Sequence, residues 1–161
     1  MRHRDRPTIH LRAAAPADVP CVVSIIHAAY AEYAGRLDPP SGAHRETVAS
    51  VAAKLARGGI ALAEIDGVAV GSVIYRPQAE SMYLGRLAVL PAWRRRGVGR
   101  LLMAYVEEQA RAAGLPRVEL GVRVALPQNA TYYQRLGYTV LYAGCHEGYD
   151  RTTYLQLAKD V

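Results

Sequence analysis

The stretch with the clearest chemistry is Leu87-Ala88-Val89-Leu90-Pro91-Ala92-Trp93-Arg94-Arg95-Arg96-Gly97-Val98-Gly99-Arg100. An apolar strand ends at a proline, a basic turn follows, and a helix begins at a pair of glycines. The first turn of a helix offers unpaired backbone N–H groups and the positive end of its dipole. Glycines let a phosphate approach that backbone with no Cβ in the way. Arginines add charge and can fork onto phosphate oxygens. Together these make a pyrophosphate cradle. The plainer alternative is a glycine-started helix behind a solvated basic turn. A Walker loop is excluded because its Gly-Lys-Ser/Thr ending is missing, and the dinucleotide fingerprint because its third glycine is missing.

The cradle needs a strand before it and a helix after it, and the chain supplies both. Met82 to Leu90 reads as the strand and Gly97 to Ala113 as the helix, with Val98, Leu101, Leu102, Tyr105 and Val106 facing the core. Upstream, Thr8 to Arg12 alternates like a strand, and Pro16 with Asp18 opens a helix. Val19, Val22, Val23, Ile26, Tyr30 and Tyr33 give that helix its apolar face. A loop follows over Gly35 to Gly42. A second helix spans Glu46 to Arg57, with Val48, Val51, Ala52 and Leu55 inward, and Gly58-Gly59 stops it. Ile60 to Ile65 and Val68 to Tyr75 form a hairpin about Asp66-Gly67. Downstream come a strand over Arg117 to Val124, a short helix over Pro127 to Leu136, and strands over Tyr138 to Ala143 and Arg151 to Leu157. This order predicts an α/β fold. Its mixed sheet of seven strands has an antiparallel meander, one right-handed parallel strand–helix–strand step and helices on both faces.

The 161 residues fit one domain, residues 1–161, large enough to hold itself together without disulfides or metal. The formal charge is +6, nearly all from arginine, because lysine occurs only at Lys54 and Lys159. Cys21 and Cys145 show no metal spacing and read as reduced, packed residues. No metal site is expected. The segment Met1 to Pro7 lacks the apolar core of a signal peptide, and no run is apolar enough to span a membrane. A cytoplasmic protein is the expectation.

Arg94-x-x-Gly97-x-Gly99, directly after Leu-Ala-Val-x-Pro, resembles the acetyl-CoA motif of the GNAT superfamily of N-acetyltransferases, and the element order matches that fold across nearly the whole chain. The resemblance implies that Arg94, Arg95, Arg96, Gly97, Val98, Gly99 and Arg100 hold the pyrophosphate of acetyl-CoA. It implies that the backbone of Leu87, Ala88 and Val89 pairs with the pantetheine arm, which enters where the fourth and fifth strands splay apart. A second stretch, Asn129-Ala130-Thr131-Tyr132-Tyr133-Gln134-Arg135-Leu136-Gly137-Tyr138, resembles the family's later helix. By that resemblance Tyr133 lies near the CoA sulfur and can protonate the leaving thiolate, as a phenol with a reference pKa of about 10 can; otherwise it packs beneath the sheet. Asn129 is a candidate pantetheine contact, an N-cap, or both.

The attacking amine must lose a proton. Many relatives carry a carboxylate in the fourth strand where this chain has Tyr83, so the usual base is missing. Glu32, Asp38, Glu80, His146, Glu147 and Asp150 are the candidates, beside a water chain to bulk solvent. The aromatic and charged loops around Tyr30, Tyr33 and Asp38, and around His146 and Tyr149, resemble those of a bacterial subgroup. With Tyr83 they form the expected acceptor wall, where ring faces and carboxylates could receive a cationic amine. The expected reaction is direct acetyl transfer in a ternary complex to a small amine, an amino sugar or a peptide N-terminus. No motif positions a cysteine for a covalent route. Dimers are common in the family, so a homodimer is possible. Two other readings stand beside this one: a non-catalytic acyl-CoA-binding module on the same fold, and a nucleic-acid binder. The second lacks a helix-turn-helix or an aromatic stacking motif, so no nucleic-acid or membrane partner is expected.

Overall fold

The computed structural model describes residues 6–161. The part of the leader reading that rests on residues 1–5 lies outside the described residues. The strands are β1 (Ile9–Ala13), β2 (Gly59–Ile65), β3 (Val68–Pro77), β4 (Met82–Val89), β5 (Arg117–Arg123), β6 (Thr139–Gly144) and β7 (Tyr154–Asp160). The helices are α1 (Val19–Tyr30), α2 (Val48–Arg57), α3 (Val98–Ala112) and α4 (Pro127–Arg135). The seven strands form one sheet in the order β1-β2-β3-β4-β5-β7-β6. β4 and β5 are parallel and every other neighbouring pair is antiparallel.

The β2–β3 hairpin turns on Asp66 and Gly67, both at positive φ, which a two-residue turn matched to strand twist requires. β2 is buried on both faces. Ile60 and Leu62 meet α1 and α2, while Ala61, Ala63 and Ile65 meet α3 on the other side. α3 presses its start onto the sheet at Gly71, where a Cβ would lie 2.9 Å from Val98 Cγ1. That close approach sets the end of β4 beside the first turn of α3. Among the described residues no helix is long and apolar enough to cross a membrane.

Several boundaries and packing expectations are corrected. α2 starts one residue after Thr47, whose hydroxyl accepts the Ser50 N–H while the Ser50 hydroxyl accepts the Thr47 N–H. Glu46 therefore precedes the helix and turns inward. Val48, in the first turn, is exposed instead of inward. β7 begins at Tyr154 rather than Arg151, because Thr153 closes the preceding turn through its N–H to the Gly144 carbonyl. Cys21 and Cys145 are exposed, not packed. Cys21 falls on the outer face of α1, and Cys145 follows the end of β6.

The core beneath the cradle should be costly to hollow out. Leu102 is fully buried in the α3–sheet cluster. Leu102→Ala should destabilise the fold by roughly 2–5 kcal/mol in denaturant unfolding. A loss within experimental error would mean that α3 does not anchor the sheet.

Candidate active site

β4 and β5 pair at only two positions, Met82↔Val118 and Tyr83↔Glu119, and then part. β4 carries an extra residue against β3 just beyond this point: Ile74 pairs with Gly85, but Ser72 pairs with Ala88. Arg86 absorbs the bulge at φ 51. Such a bulge bends the strand and re-aims its edge. The Tyr30 hydroxyl, from the end of α1, donates to the Leu87 carbonyl at 3.1 Å.

Two cavities flank this gap. The first, about 670 Å³, runs between the end of β4, the start of α3 and α4. Leu87, Val89, Arg94, Arg95, Gly97, Val98, Gly99, Arg100, Asn129 and Tyr133 all line it, as does Tyr33. Ala88 turns its side chain to the opposite face, against α1 and α2. Arg96 lies outside the cavity wall, its guanidinium 5.0 Å from the Trp93 ring centroid. The turn into α3 needs Arg95 at φ 62 and Gly97 at φ 85. No side chain caps α3, so its first N–H groups face the cavity unclaimed by the protein. A Cβ on Gly99 would stand 3.0 Å from the Tyr132 hydroxyl and within van der Waals reach of Val89 and Leu87. Arg94 plays a different part from its neighbours. Its guanidinium donates to Glu32 (2.6 Å), to the Ala29 carbonyl (2.9 Å) and to the Val89 carbonyl (3.3 Å). It ties the end of α1 to the end of β4.

The second cavity, about 1000 Å³, lies on the other side, between β3, β4, β5, α2 and the loop after β6. Tyr30, Asn129 and Tyr133 line both cavities, so the two meet at these side chains. Tyr133 is half-buried, and the loss of solvent around its phenol drives the pKa far above its ordinary value, with neighbouring tyrosines adding to the effect. Burial also pushes Tyr30 up to about 12, although Arg86 opposes the shift. Both phenols remain protonated donors at any working pH.

The acceptor-side expectations divide. Tyr83 and His146 line the second cavity, and Arg76 sits 5.0 Å above the Tyr83 ring. Asp38 lines neither cavity; its carboxylate is held by the Tyr149 hydroxyl (2.5 Å) and Arg151 (3.4 Å). Glu32 is engaged by Arg94. Glu80 and Asp150 are exposed and line neither cavity, whereas Glu147 lines the second. His146 is held below its ordinary pKa by burial first and then by Arg123, so it is neutral near pH 7. Its Nδ1 lies 2.5 Å from the Thr153 hydroxyl.

Sequence reading missed Glu46, Arg86 and Arg123. Glu46 is buried and meets Lys54, Arg86 Nε (3.1 Å) and the Ser50 hydroxyl (2.6 Å). Burial works to raise its pKa, but these partners prevail and lower it. The Glu46–Ser50 spacing is visible in sequence, but nothing there links Glu46 to a strand residue forty positions on.

A charged side chain at Gly99 would project into the wall of the first cavity. Gly99→Glu should abolish acetyl-CoA binding in calorimetry while the protein stays folded, and undiminished binding would remove the cavity as the cofactor site.

Residues 25–138 match the model of the acetyltransferase (GNAT) family. No curated protein matches the chain in sequence. Solved structures with the same fold include Ard1 from Thermoplasma volcanium, 19% identical over 95% of this chain and 97% of that one, with a TM-score of 0.78. PaiA N-acetyltransferase from Thermoplasma acidophilum, in complex with coenzyme A, is 16% identical over 96% and 99%, with a TM-score of 0.79. The ribosomal-protein-S18-alanine N-acetyltransferase from Escherichia coli is 19% identical over 95% and 94%, with a TM-score of 0.75. The matched segment covers well over half of the chain, from within α1 to Tyr138, and so the chain belongs to the GNAT family of acetyltransferases, acyl-transferring enzymes whose donor is acetyl-CoA.

Proposed function

We propose that this enzyme transfers the acetyl group of acetyl-CoA to a primary amine by direct attack in a ternary complex. The observation that carries the reading is the meeting of two cavities at Tyr30, Asn129 and Tyr133, where β4 and β5 part. One cavity suits the donor and the other the acceptor, and a reacting pair can touch only at the shared wall.

The residues of the first cavity fit the donor. The open N–H groups of α3 and the side chains of Arg95 and Arg100 would hold the pyrophosphate, with Gly99 leaving the space a Cβ would take. Arg94 would act mainly by holding the turn in place. The edge of β4 from Leu87 to Val89, which no strand pairs, would take the pantetheine arm as an added strand, first through its N–H groups because Tyr30 and Arg94 already donate to the Leu87 and Val89 carbonyls. When bound, acetyl-CoA supplies an electrophilic thioester whose sulfur leaves as the amine nitrogen bonds to the acetyl carbon.

Tyr133 is the proton donor to the departing sulfur. Its phenol is half-buried, protonated and in the wall of both cavities. His146 is the group in the acceptor cavity best suited to receive the amine proton, directly or through water, because it is neutral near pH 7 and its imidazole is a base. No carboxylate is asked to do this work. Catalysis by a positioned acid or base is commonly worth about 10²–10⁴-fold.

Two substitutions test the roles. Tyr133→Phe should lower kcat by about 10²-fold with little change in acetyl-CoA affinity; an unchanged kcat would make Tyr133 a packing residue. A protonated imidazole cannot accept a proton, and His146 titrates below its ordinary value of 6.5. Wild-type kcat should therefore hold near neutrality and fall as pH drops through that lowered pKa. His146→Gln should be slow throughout and lack this acid limb. Persistence of the limb in the variant would assign the base elsewhere.

A further inference from the structure

The acceptor cavity carries a charge that the donor does not explain. Arg45, Lys54, Arg57, Arg76, Arg86 and Arg123 line it. Against these six cations stand two carboxylates, Glu147 in the wall and Glu46 buried behind it, leaving an excess of four positive charges. Asp38 acts on Arg123 from nearby, but Arg151 already meets it.

The arginines are also arranged with donors to spare. Arg123 Nη2 donates to the Pro39 carbonyl at 2.5 Å, while its Nε is buried with no partner. A buried guanidinium nitrogen without an acceptor is costly, and an anion in the cavity would offset the charge of the group that carries it. Burial accordingly lowers the pKa of Arg123. Across the cavity, Arg86 and Arg45 converge beside Gly42. An atom in the place of the Cβ that Gly42 lacks would lie 2.7 Å from Arg86 Nη2 and 3.8 Å from Arg45 Nη2. Arg86 is held there through its Nε by Glu46. Like charges gathered around one cavity call for an anion between them.

We infer that the acceptor is a primary amine that also carries an anionic oxyacid group, a carboxylate or a phosphate, whose oxygens the guanidiniums of Arg123, Arg86 and Arg45 receive. The inference rests on the acetyltransferase reading of this cavity, which supplies the amine. Guanidiniums fork onto such oxygens, and low-dielectric walls concentrate their field. The same field disfavours an ammonium and favours the neutral amine that must attack. This bears on a chain with Tyr83 where relatives carry a carboxylate. A polycationic acceptor, by contrast, would enter against repulsion.

The test is calorimetry on the CoA-loaded protein with matched pairs: L-glutamate against L-glutamine, O-phosphoethanolamine against ethanolamine, and an acidic dipeptide against its diamide, with spermidine as the cationic control. Thiol release from acetyl-CoA is read in parallel on the same set. At least one acidic member should bind about tenfold or more tightly than its partner, with an advantage that shrinks as salt rises. The better pair tells carboxylate from phosphate. Arg45→Gln, at an exposed position, and Arg123→Gln should each weaken the acidic member severalfold more than its neutral partner; equal weakening of both would overturn the inference. Equal or tighter binding of the neutral or cationic members, or no binding by any acidic member, would overturn the inference. Thiol release with neutral amines alone would overturn it while leaving acetyl transfer intact. Binding of the acid with no thiol release from any amine would uphold the anion site and remove the transferase reading instead.

Discussion

The site depends on one constraint: β4 and β5 pair at two positions and no further. A parallel pair that separates leaves backbone donors and acceptors without partners, a state a sheet interior does not ordinarily tolerate. Here the separation is built in from both sides. β3 fixes β4 with a bulge at Arg86, and β7 fixes β5 along its whole length. Neither half can slide to close the gap without breaking its own ladder. The sheet is thus two well-paired blocks joined at one end, and both cavities open from the space between them. α3 crosses from one block to the other, so its N-terminus arrives beside the free end of β4.

Charge is distributed around this gap with different duties for residues of the same type. Arg94 spends its guanidinium on protein acceptors and works as a tie between α1 and β4. Arg95 and Arg100 line the first cavity. Arg86 belongs to the bulge, and the buried Glu46 holds it. Removing one partner from a buried ion pair leaves an uncompensated charge and typically costs about 3–5 kcal/mol. Glu46 therefore joins the entry to α2 to the bulge that opens the sheet, and the second cavity takes its shape from that contact. Its three partners hold it ionised despite burial.

Local signals carried most of the fold. The Asp66-Gly67 hairpin, the proline after β4, the glycine pair at α3 and the glycines after α3 and α4 each state a turn in two or three neighbouring residues. The first cavity was legible for the same reason, because Arg94 to Arg100 in its wall form one nearly unbroken segment. Ala88 enters that reading through its backbone, and its side chain follows strand alternation to the opposite face, whereas a cation–π contact draws Arg96 out of the cavity wall onto Trp93. What sequence could not convey was assembled from distant segments. Asp38 looked available until Tyr149 and Arg151, more than a hundred residues on, reached it. The gathering of Arg45, Arg86 and Arg123 around one cavity has no local pattern, since they come from three separate segments. The exposed cysteines misled for a simpler reason: a small residue on an amphipathic helix or after a strand carries little information about which way it faces.

The proposed reaction requires donor and acceptor to meet where the strands part. A crystal structure of the CoA complex, with the sulfur located by its anomalous signal, tests it most directly. The sulfur is expected at the wall shared by the two cavities, beside the Tyr133 hydroxyl, with the pantetheine arm along Leu87 to Val89 and the pyrophosphate on the first turn of α3. A sulfur outside the gap between β4 and β5, or one with Tyr133 on the far side of a closed sheet, would contradict it.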